Sequence, residues 1–377
     1  MRWSYKLARV AGIDVRVHAT FLLLLAFVGF QGFAGSGTVR GALAGIGFIL
    51  LVFFIVVLHE YGHALAARRY GIPTRDITLL PIGGVARLER MPREPRQELV
   101  IALAGPAVNV VLALALWLYI AVATGSPNPM APADERFFGQ SIARQLLSVN
   151  VWLAGFNLIP AFPMDGGRVL RALLAQRTGD YAGATVRAAG IGRAIALVLG
   201  LLGLFVLKQP TLVLVALFVW LSAAGEAGAV QESAALSGVA LEQVMITDVR
   251  TLAPADPLGR AAELVLAGFQ QDFPVVEGGQ VVGLLTRQDL VRALAAQGAG
   301  APVGGVMRRE FPVADPGERV EEALARLAGA GADAMPVVRG RTLLGVLTRE
   351  NVGEYLMIRT ALLQARRGAA AAAPASA

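Results

Sequence analysis

Long apolar runs dominate the first 232 residues and constrain the fold of this chain more than any other feature. A transmembrane helix needs about 20 consecutive, mostly apolar residues. Six stretches approach that length, and we expect each to span a membrane: 19–34, 42–63, 97–123, 142–160, 190–207 and 211–230. Only 16% of the residues are charged, against roughly 25% in soluble domains. Both observations predict a polytopic α-helical membrane protein.

The distribution of basic residues predicts how these spans are oriented. Arg and Lys are numerous before the first span, between the second and third, and between the fourth and fifth, and they are sparse in the other loops. The positive-inside rule therefore predicts a multi-pass cell-membrane protein with a cytoplasmic N-terminus and a cytoplasmic C-terminal part. The basic loops also explain the net charge of +7 without a nucleic-acid partner. The N-terminus resembles a signal peptide cleaved near Gly35, but we expect a retained first span because more apolar segments follow.

The sequence after residue 232 has soluble character and contains an internal repeat with an offset of 62 residues. The repeated segments are VM at 244–245 and 306–307, PVV at 274–276 and 336–338, and the GLLTR and GVLTR segments at 283–287 and 345–349. Each copy is predicted to contain a helix, at 258–267 or 319–328, then two strands around a Gly-rich turn and a final helix. Copies of such a repeat usually pack against each other.

Two of only three histidines, His59 and His63, lie four residues apart in the second apolar run, with Glu60 after the first. On a helix this spacing puts both imidazoles on one face, where they can bind one zinc ion. Glu60 is then placed to act as a general base toward water at the metal. Ionisable groups inside a span are costly and usually functional, so we prefer a zinc site to a pair of buried, hydrogen-bonded histidines. The absence of cysteine excludes disulfides, cysteine zinc ligands and a cysteine nucleophile.

A catalytic zinc ion takes three protein ligands and keeps one position open for water. His18 is the remaining histidine, but we expect it to lie at the membrane interface before the first span. Asp165 is the better candidate, because Pro160 and Pro163 end the preceding helix and two glycines after Asp165 allow a tight turn back to the metal. Spacing alone supports equally the alternative that Asp165 caps the helix that follows.

Four motifs together resemble the site-2 protease family of intramembrane zinc metalloproteases, in its branch with tandem CBS domains. They are HEYGHALAARRYGI, TLLPIGGVARL, AGPAVN and NLIPAFPMDGGR. The resemblance covers about residues 10–360. It implies that His59, His63 and Asp165 bind one zinc ion and that Glu60 is catalytic.

The same resemblance bears on three asparagines and one loop. Asn157 matches a family asparagine near the active site, where we expect it to bind the substrate backbone or the developing oxyanion, with an interhelical hydrogen bond as the alternative. For Asn109 and Asn150, packing and interhelical hydrogen bonds are at least as well supported as a catalytic role. Residues 79–85 resemble the family's re-entrant β segment, whose edge can pair with substrate, but we expect a plain cytoplasmic turn there.

The repeat resembles a tandem CBS pair, and such pairs often bind adenine nucleotides such as ATP or AMP. In the first copy, Thr286 and Asp289 occupy the motif positions that would hold a phosphate or ribose. In the second copy Thr348 and Asn351 take these positions, and the neutral asparagine weakens the prediction there. A structural CBS pair that forms a homodimer is an equally supported alternative.

Together these features predict a polytopic α-helical membrane protein, with about six transmembrane helices and a C-terminal α/β tandem CBS domain pair. The expected parts are a transmembrane metalloprotease domain at 1–232, CBS domains at 237–298 and 301–360, and a disordered tail at 361–377. The expected activity, as in regulated intramembrane proteolysis, is hydrolysis of a peptide bond in or near the transmembrane segment of a single-pass substrate in the lipid bilayer. The alternative is a CBS-gated transporter or channel with a metal site, in which residues 157–167 line an ion path.

Overall fold

The chain divides into two compact units, Met1–Val230 and Gln231–Ala377, in a computed structural model. The residues that the structure describes are 3–89, 92, 94–128, 140–268, 270–330 and 332–372.

Helices form most of the described part of the first unit. They are α1 (Ala19–Ser36), α2 (Val39–Arg69), α3 (Pro95–Thr124), α4 (Gln140–Asn157), α5 (Asp165–Thr178), α6 (Tyr181–Leu201) and α7 (Pro210–Leu236), which continues past the unit boundary. A π-helical turn, Leu202–Val206, extends α6. Among the described residues, five helices are long and apolar enough to cross a membrane: α1, α2, α3, α6 with its π turn, and α7.

The fourth expected span corresponds to α4, which is not one of those five helices. It has 18 residues, close to the minimum for spanning, and it carries polar side chains that include a charged Arg144 and the fully buried Asn150. The prediction of a polytopic helical protein is confirmed, and α4 differs because its polar side chains lower its apolarity.

A four-stranded sheet lies beside these helices, in the order β1 (Ser4–Val10), β2 (Ile13–His18), β3 (Thr74–Leu80), β4 (Gly83–Leu88). Strands β2 and β3 are parallel, and the two outer pairs are antiparallel. Ile13 and Ile77 pack with Ala64 of α2 in one buried cluster, which fixes the sheet on that helix. The expectation of a plain turn at 79–85 is wrong, because only the two residues between Leu80 and Gly83 turn and the flanking residues pair as strands.

A buried cluster of charges joins four helices of this unit. The Arg171 side chain of α5 is 1% exposed and donates hydrogen bonds to Glu98 of α3, and over 2.5 Å to Glu226 of α7. Tyr181 of α6 also donates to Glu98, and the guanidinium group lies 5.0 Å from the centroid of the Phe162 ring. These contacts fix α5 relative to its neighbours.

The second unit contains both repeat copies. Its sheet has the order β5 (Phe273–Glu277), β6 (Gln280–Leu285), β8 (Thr342–Thr348), β7 (Ala334–Arg339). Its helices are α8 (Leu258–Ala267), α9 (Arg287–Gln297), α10 (Val320–Gly329) and α11 (Arg349–Ala372). The predicted helix at 258–267 agrees with α8, and the second begins one residue later than predicted.

Equivalent positions form the cores of the two copies. Leu258, Phe273 and Leu285 are fully buried in the first copy, and the residues 62 positions later, Val320, Met335 and Leu347, are fully buried in the second.

The C-terminal helix extends into the segment expected to be a tail. Helix α11 continues through residue 360 to Ala372, so this part of the tail expected to be disordered is helical. The physical reason is composition, because alanine is the strongest helix former and the segment ends in an Ala-rich run. The last five residues of the expected tail, 373–377, lie outside the described part of the chain.

Candidate metal centre

Three buried side chains from two helices meet at one point. His59 and His63 lie one turn apart on α2, and Asp165 is the first residue of α5. Asp165 Oδ2 is 3.2 Å from His59 Nε2 and 3.1 Å from His63 Nε2, and the two Nε2 atoms are 3.1 Å apart. The three residues are 6–7% exposed. In the part of the chain that the structure describes, this is the one group of three such residues able to hold a metal ion.

The spacing and protonation of these atoms fit a zinc ion. Ligand atoms of a tetrahedral zinc site with bonds of about 2.0–2.1 Å lie roughly 3.3 Å apart, close to the three observed distances. His59 Nδ1 lies 2.5 Å from Asn109 Oδ1, and His63 Nδ1 lies 2.7 Å from the carbonyl oxygen of Ile101. Both oxygens only accept hydrogen bonds, so each Nδ1 carries the proton and each Nε2 presents a lone pair. Two lone pairs and a carboxylate that converge at 3.1–3.2 Å form a set of donor atoms for one cation.

A glycine of α3 leaves room for that cation. A Cβ atom on Gly105 would lie 2.6 Å from His63 Cε1 and 2.7 Å from His59 Nε2, and closer still to His63 Nε2. Any side chain at position 105 would therefore fill the space between the two imidazoles. Helices α2 and α3 approach closely here, since a Cβ on Gly62 would lie 2.6 Å from the carbonyl oxygen of Ala104.

The turn before α5 brings Asp165 back to α2. The helix cap position is Met164, and the Asp165 carboxylate contacts the two histidines instead of capping its own helix. A Cβ on Gly166 would overlap the Ile159 carbonyl, and one on Gly167 would lie 2.7 Å from the Ala161 carbonyl carbon. Both glycines are therefore required for the close turn that the sequence predicted.

Glu60 lies between α2 and the free edge of the sheet. Its Oε2 accepts a hydrogen bond from the backbone N–H of Ala86 over 3.2 Å. A Cβ on Gly84 would lie 2.8 Å from Glu60 Cγ, so this glycine allows β4 to approach the glutamate. Strand β4 is an outer strand of the sheet. Because backbone groups alternate along a strand, the N–H and C=O of Gly84 point to the same outer edge as those of Ala86.

The other candidate residues lie at different positions relative to the metal centre. Asn157 is the half-buried last residue of α4, and the backbone that follows it packs against Gly166, beside Asp165. His18 caps α1 and bonds to Thr20, as expected of a residue at the start of the first span. Asn109 contacts a histidine of the centre. Neither that partnership nor the role of Gly105 was predicted from the sequence.

A cleft of about 610 Å³ in the second unit is lined in part by Thr286 of the first-copy motif. Thr286 lines it together with Arg292 and Arg308. Asp289 Oδ2 accepts hydrogen bonds from Thr286 Oγ1 (2.6 Å) and Arg308 Nε (2.5 Å). Burial alone would raise the pKa of Asp289, but these hydrogen bonds hold that pKa below its usual range.

The motif residues also have a local role in both copies. The Thr286 hydroxyl caps α9, and the Thr348 hydroxyl accepts a hydrogen bond from the Asn351 backbone N–H at the start of α11. The Arg308 side chain reaches the first copy because its backbone pairs with Leu284 of β6.

The chain is similar to known proteins over most of its length. The model of peptidase family M50 matches residues 47–146 and 139–201, and the CBS domain model matches 241–296 and 303–357. A zinc metalloprotease of Methanocaldococcus jannaschii is 30% identical over 361 residues, which cover 93% of this chain and 96% of that protein. The protein Rip3 of Mycobacterium tuberculosis is 30% identical, with 94% of this chain and 93% of Rip3 covered. A solved site-2 protease from Methanocaldococcus jannaschii is 36% identical, with a TM-score of 0.43 over 60% of this chain and 95% of that structure.

Proposed function

The chain belongs to the site-2 protease family of zinc metalloproteases, peptidase family M50, and from this premise we propose that it cuts single-pass membrane proteins in or near their transmembrane segments. It is a zinc metalloendopeptidase with a C-terminal CBS pair. The observation that carries the proposal is the convergence of His59, His63 and Asp165 within 3.2 Å of one another. Helix α2, which carries both histidines, and α3, which approaches them at Gly105, are long and apolar enough to span a bilayer.

In the proposed mechanism His59, His63 and Asp165 hold the zinc ion. Zinc, when bound, polarises a scissile carbonyl and acidifies water. Glu60 accepts a proton from the attacking water and later transfers it to the leaving amine. The Ala86 N–H holds the Glu60 carboxylate beside the sheet, which orients it for this role. Asn157 donates a hydrogen bond to the substrate carbonyl or to the oxyanion that forms from it.

Strand β4 supplies a surface for the substrate backbone. A transmembrane helix hides its carbonyl groups in internal hydrogen bonds, so the substrate unwinds locally before it is cut. The outer edge of β4 offers free backbone groups at Gly84, next to Glu60. An unwound substrate segment adds to this edge as an extra strand, which brings its carbonyl groups toward the metal.

Trapping of natural substrates tests this proposal. The variant Glu60→Gln keeps the three metal ligands and removes the base, so we expect it to accumulate uncut membrane proteins in native membranes. Mass spectrometry of the co-purified proteins, compared with those of the wild-type protein, identifies them. The proposal is wrong if the enriched proteins remain uncut by the wild-type protein in vesicles, or if their cut sites lie far from any transmembrane segment.

For the second unit we propose that an adenine nucleotide binds the first-copy cleft and modulates proteolysis. Support comes from Arg292 and Arg308, which line the cleft and carry the positive charge that a phosphate needs, and from Asp289, whose carboxylate is paired with Arg308. The symmetry-equivalent positions are Glu354 and Asn351 of the second copy and Ile246, the first-copy counterpart of Arg308. They lack both arginines and the aspartate, so we propose that one nucleotide binds per chain. Calorimetry of the purified full chain with ATP and AMP measures this stoichiometry. The absence of heat and of a thermal shift would leave homodimer formation as the role of the pair.

The topology that we propose places the N-terminus and the CBS pair in the cytoplasm. It rests on the alternation of basic loops. Protease digestion of sealed inverted vesicles tests it, because the CBS pair is then cleaved without detergent. Protection of the pair in such vesicles would reverse the orientation.

A further inference from the structure

Two asparagines connect His59 to the interior of the helix bundle. His59 Nδ1 lies 2.5 Å from Asn109 Oδ1 on α3. Asn109 Nδ2 donates to Asn150 Oδ1 on α4 over 3.0 Å, and Asn150 Nδ2 donates to the carbonyl oxygen of Leu146 over 2.9 Å. Both asparagines are completely buried. An unbroken chain of hydrogen bonds therefore runs from a backbone carbonyl to a residue of the metal centre.

The Leu146 carbonyl, at the end of this series of hydrogen bonds farthest from His59, determines the direction of every bond in it. The Leu146 carbonyl only accepts, so Asn150 turns its NH2 group toward it and its Oδ1 toward Asn109. That oxygen also only accepts, so Asn109 turns its NH2 group toward α4 and its Oδ1 toward His59. The ring of His59 must then carry its proton on Nδ1, which leaves the Nε2 lone pair facing His63 and Asp165.

His63 does not need such a chain. Its Nδ1 contacts the backbone carbonyl of Ile101, and a carbonyl inside a helix cannot rotate. The side-chain amide of Asn109 can rotate by half a turn. A rotated amide would present NH2 to His59 Nδ1, move the ring proton to Nε2 and place an N–H group in the metal position. The Asn150 oxygen prevents this rotation.

We propose that Asn150, acting through Asn109, is a positioning residue of the metal centre, because it holds His59 in the tautomer that binds zinc. This inference rests on the proposed zinc ligands and not on the proposed proteolysis. It also gives a reason for the buried amides, since a polar group without water is costly unless its hydrogen bonds serve the structure or the site. Helix α4 thus contributes to the centre without supplying a ligand.

Zinc affinity of the purified full chain, measured by competition with a chelator, tests the proposal. Loss of an outer partner of a zinc-bound histidine typically weakens binding by about 10- to 100-fold, and we expect this of Asn109→Leu. We expect a smaller loss, of roughly fivefold or more, for Asn150→Leu, because Asn109 can then rotate. Asn109→Asp keeps an acceptor toward Nδ1 and should stay within about threefold of wild type. The control Thr185→Val removes a different buried polar group, a hydroxyl on α6, and should not change the affinity.

Two results would overturn the proposal: wild-type affinity in a folded Asn150→Leu variant, or equal losses in Asn109→Asp and Asn109→Leu. A measurement on the unmodified protein guards against variants that do not fold. Since the chain has three histidines, ¹⁵N-histidine labelling gives few ring signals, and His18→Gln assigns one. We expect the proton of zinc-loaded His59 on Nδ1, and a proton on Nε2 would refute the inference. Correct affinities and tautomer without any proteolysis would refute only the proposed function.

Discussion

Substitution of Gly105 by alanine should disrupt the metal centre while leaving the rest of the fold nearly unchanged. The added Cβ would lie 2.6 Å from His63 Cε1 and 2.7 Å from His59 Nε2, whereas optimal contacts between heavy atoms are about 3.5–4.0 Å apart. The overlap with the imidazoles is therefore roughly 1 Å, and the methyl group occupies the space between them. We expect zinc affinity to fall by more than about 100-fold, beyond the usual effect of an outer-shell change.

The same substitution has opposing effects on the helix itself. Overpacking typically lowers the free energy of unfolding by about 1–3 kcal/mol. Alanine in place of a mid-helix glycine raises it by up to about 1 kcal/mol. The metal-free variant should therefore unfold within about 2 kcal/mol of the metal-free wild-type protein. The matched control is Gly155→Ala in α4, where the added Cβ would meet no atom within 4 Å apart from the backbone of its own helix and its chain neighbours. Zinc per chain and chelator competition are measured on all three proteins, and wild-type affinity in Gly105→Ala would refute this position of the centre.

Three further changes probe the surroundings of the site. Arg171→Met leaves the buried Glu98 carboxylate and the partly exposed Glu226 carboxylate without their partner. Thermal unfolding should therefore show a loss of about 3–5 kcal/mol, mostly from Glu98. An unchanged melting temperature would contradict this. Ala86→Pro removes the backbone N–H that donates to Glu60, and an edge strand tolerates proline. We expect kcat to fall at least roughly tenfold while the zinc content stays unchanged. An unchanged kcat would refute a role for this hydrogen bond. The pKa of Asp289 is lowered in the folded protein, so its charged form stabilises the fold above the unfolded pKa, and this stability is lost as the pH falls through the folded pKa. Asp289→Asn should therefore weaken the dependence of unfolding on acid below about pH 4. The same loss of stability in acid for variant and wild type would contradict this.

Most of the fold that could be predicted from the sequence follows from the regular spacing of residues along helices and strands. The four-residue spacing of His59 and His63 places both rings on one side of a helix whatever the packing, so their proximity follows from local geometry alone. The helix at 258–267 was predicted within its observed bounds because its apolar residues follow a helical period. The strand β2 had a signal of the same kind, since Ile13, Val15 and Val17 alternate with polar residues. That segment was interpreted only as a basic N-terminus.

Features that depend on packing between distant segments could not be predicted in this way. Asn109 and Asn150 meet across 41 residues because α3 and α4 lie side by side, and no local pattern encodes that contact. The role of Gly105 depends likewise on how closely α2 approaches α3. The approach of Asp165 to the histidines, across 102 and 106 residues, was predicted from family resemblance, since spacing alone supported a helix cap equally.

The most direct test measures zinc content and peptide-bond cleavage in the same samples of wild-type protein and Glu60→Gln. Both are reconstituted with a single-pass substrate that the wild-type protein cuts. Because Glu60 contacts the sheet and is not one of the three ligands, we predict about one zinc ion per chain in both proteins. Cleavage should fall by at least about 100-fold in the variant, as expected for loss of a general base. Cleavage by Glu60→Gln at the wild-type rate, with zinc bound, would contradict the assignment of the base and of the reaction that it serves.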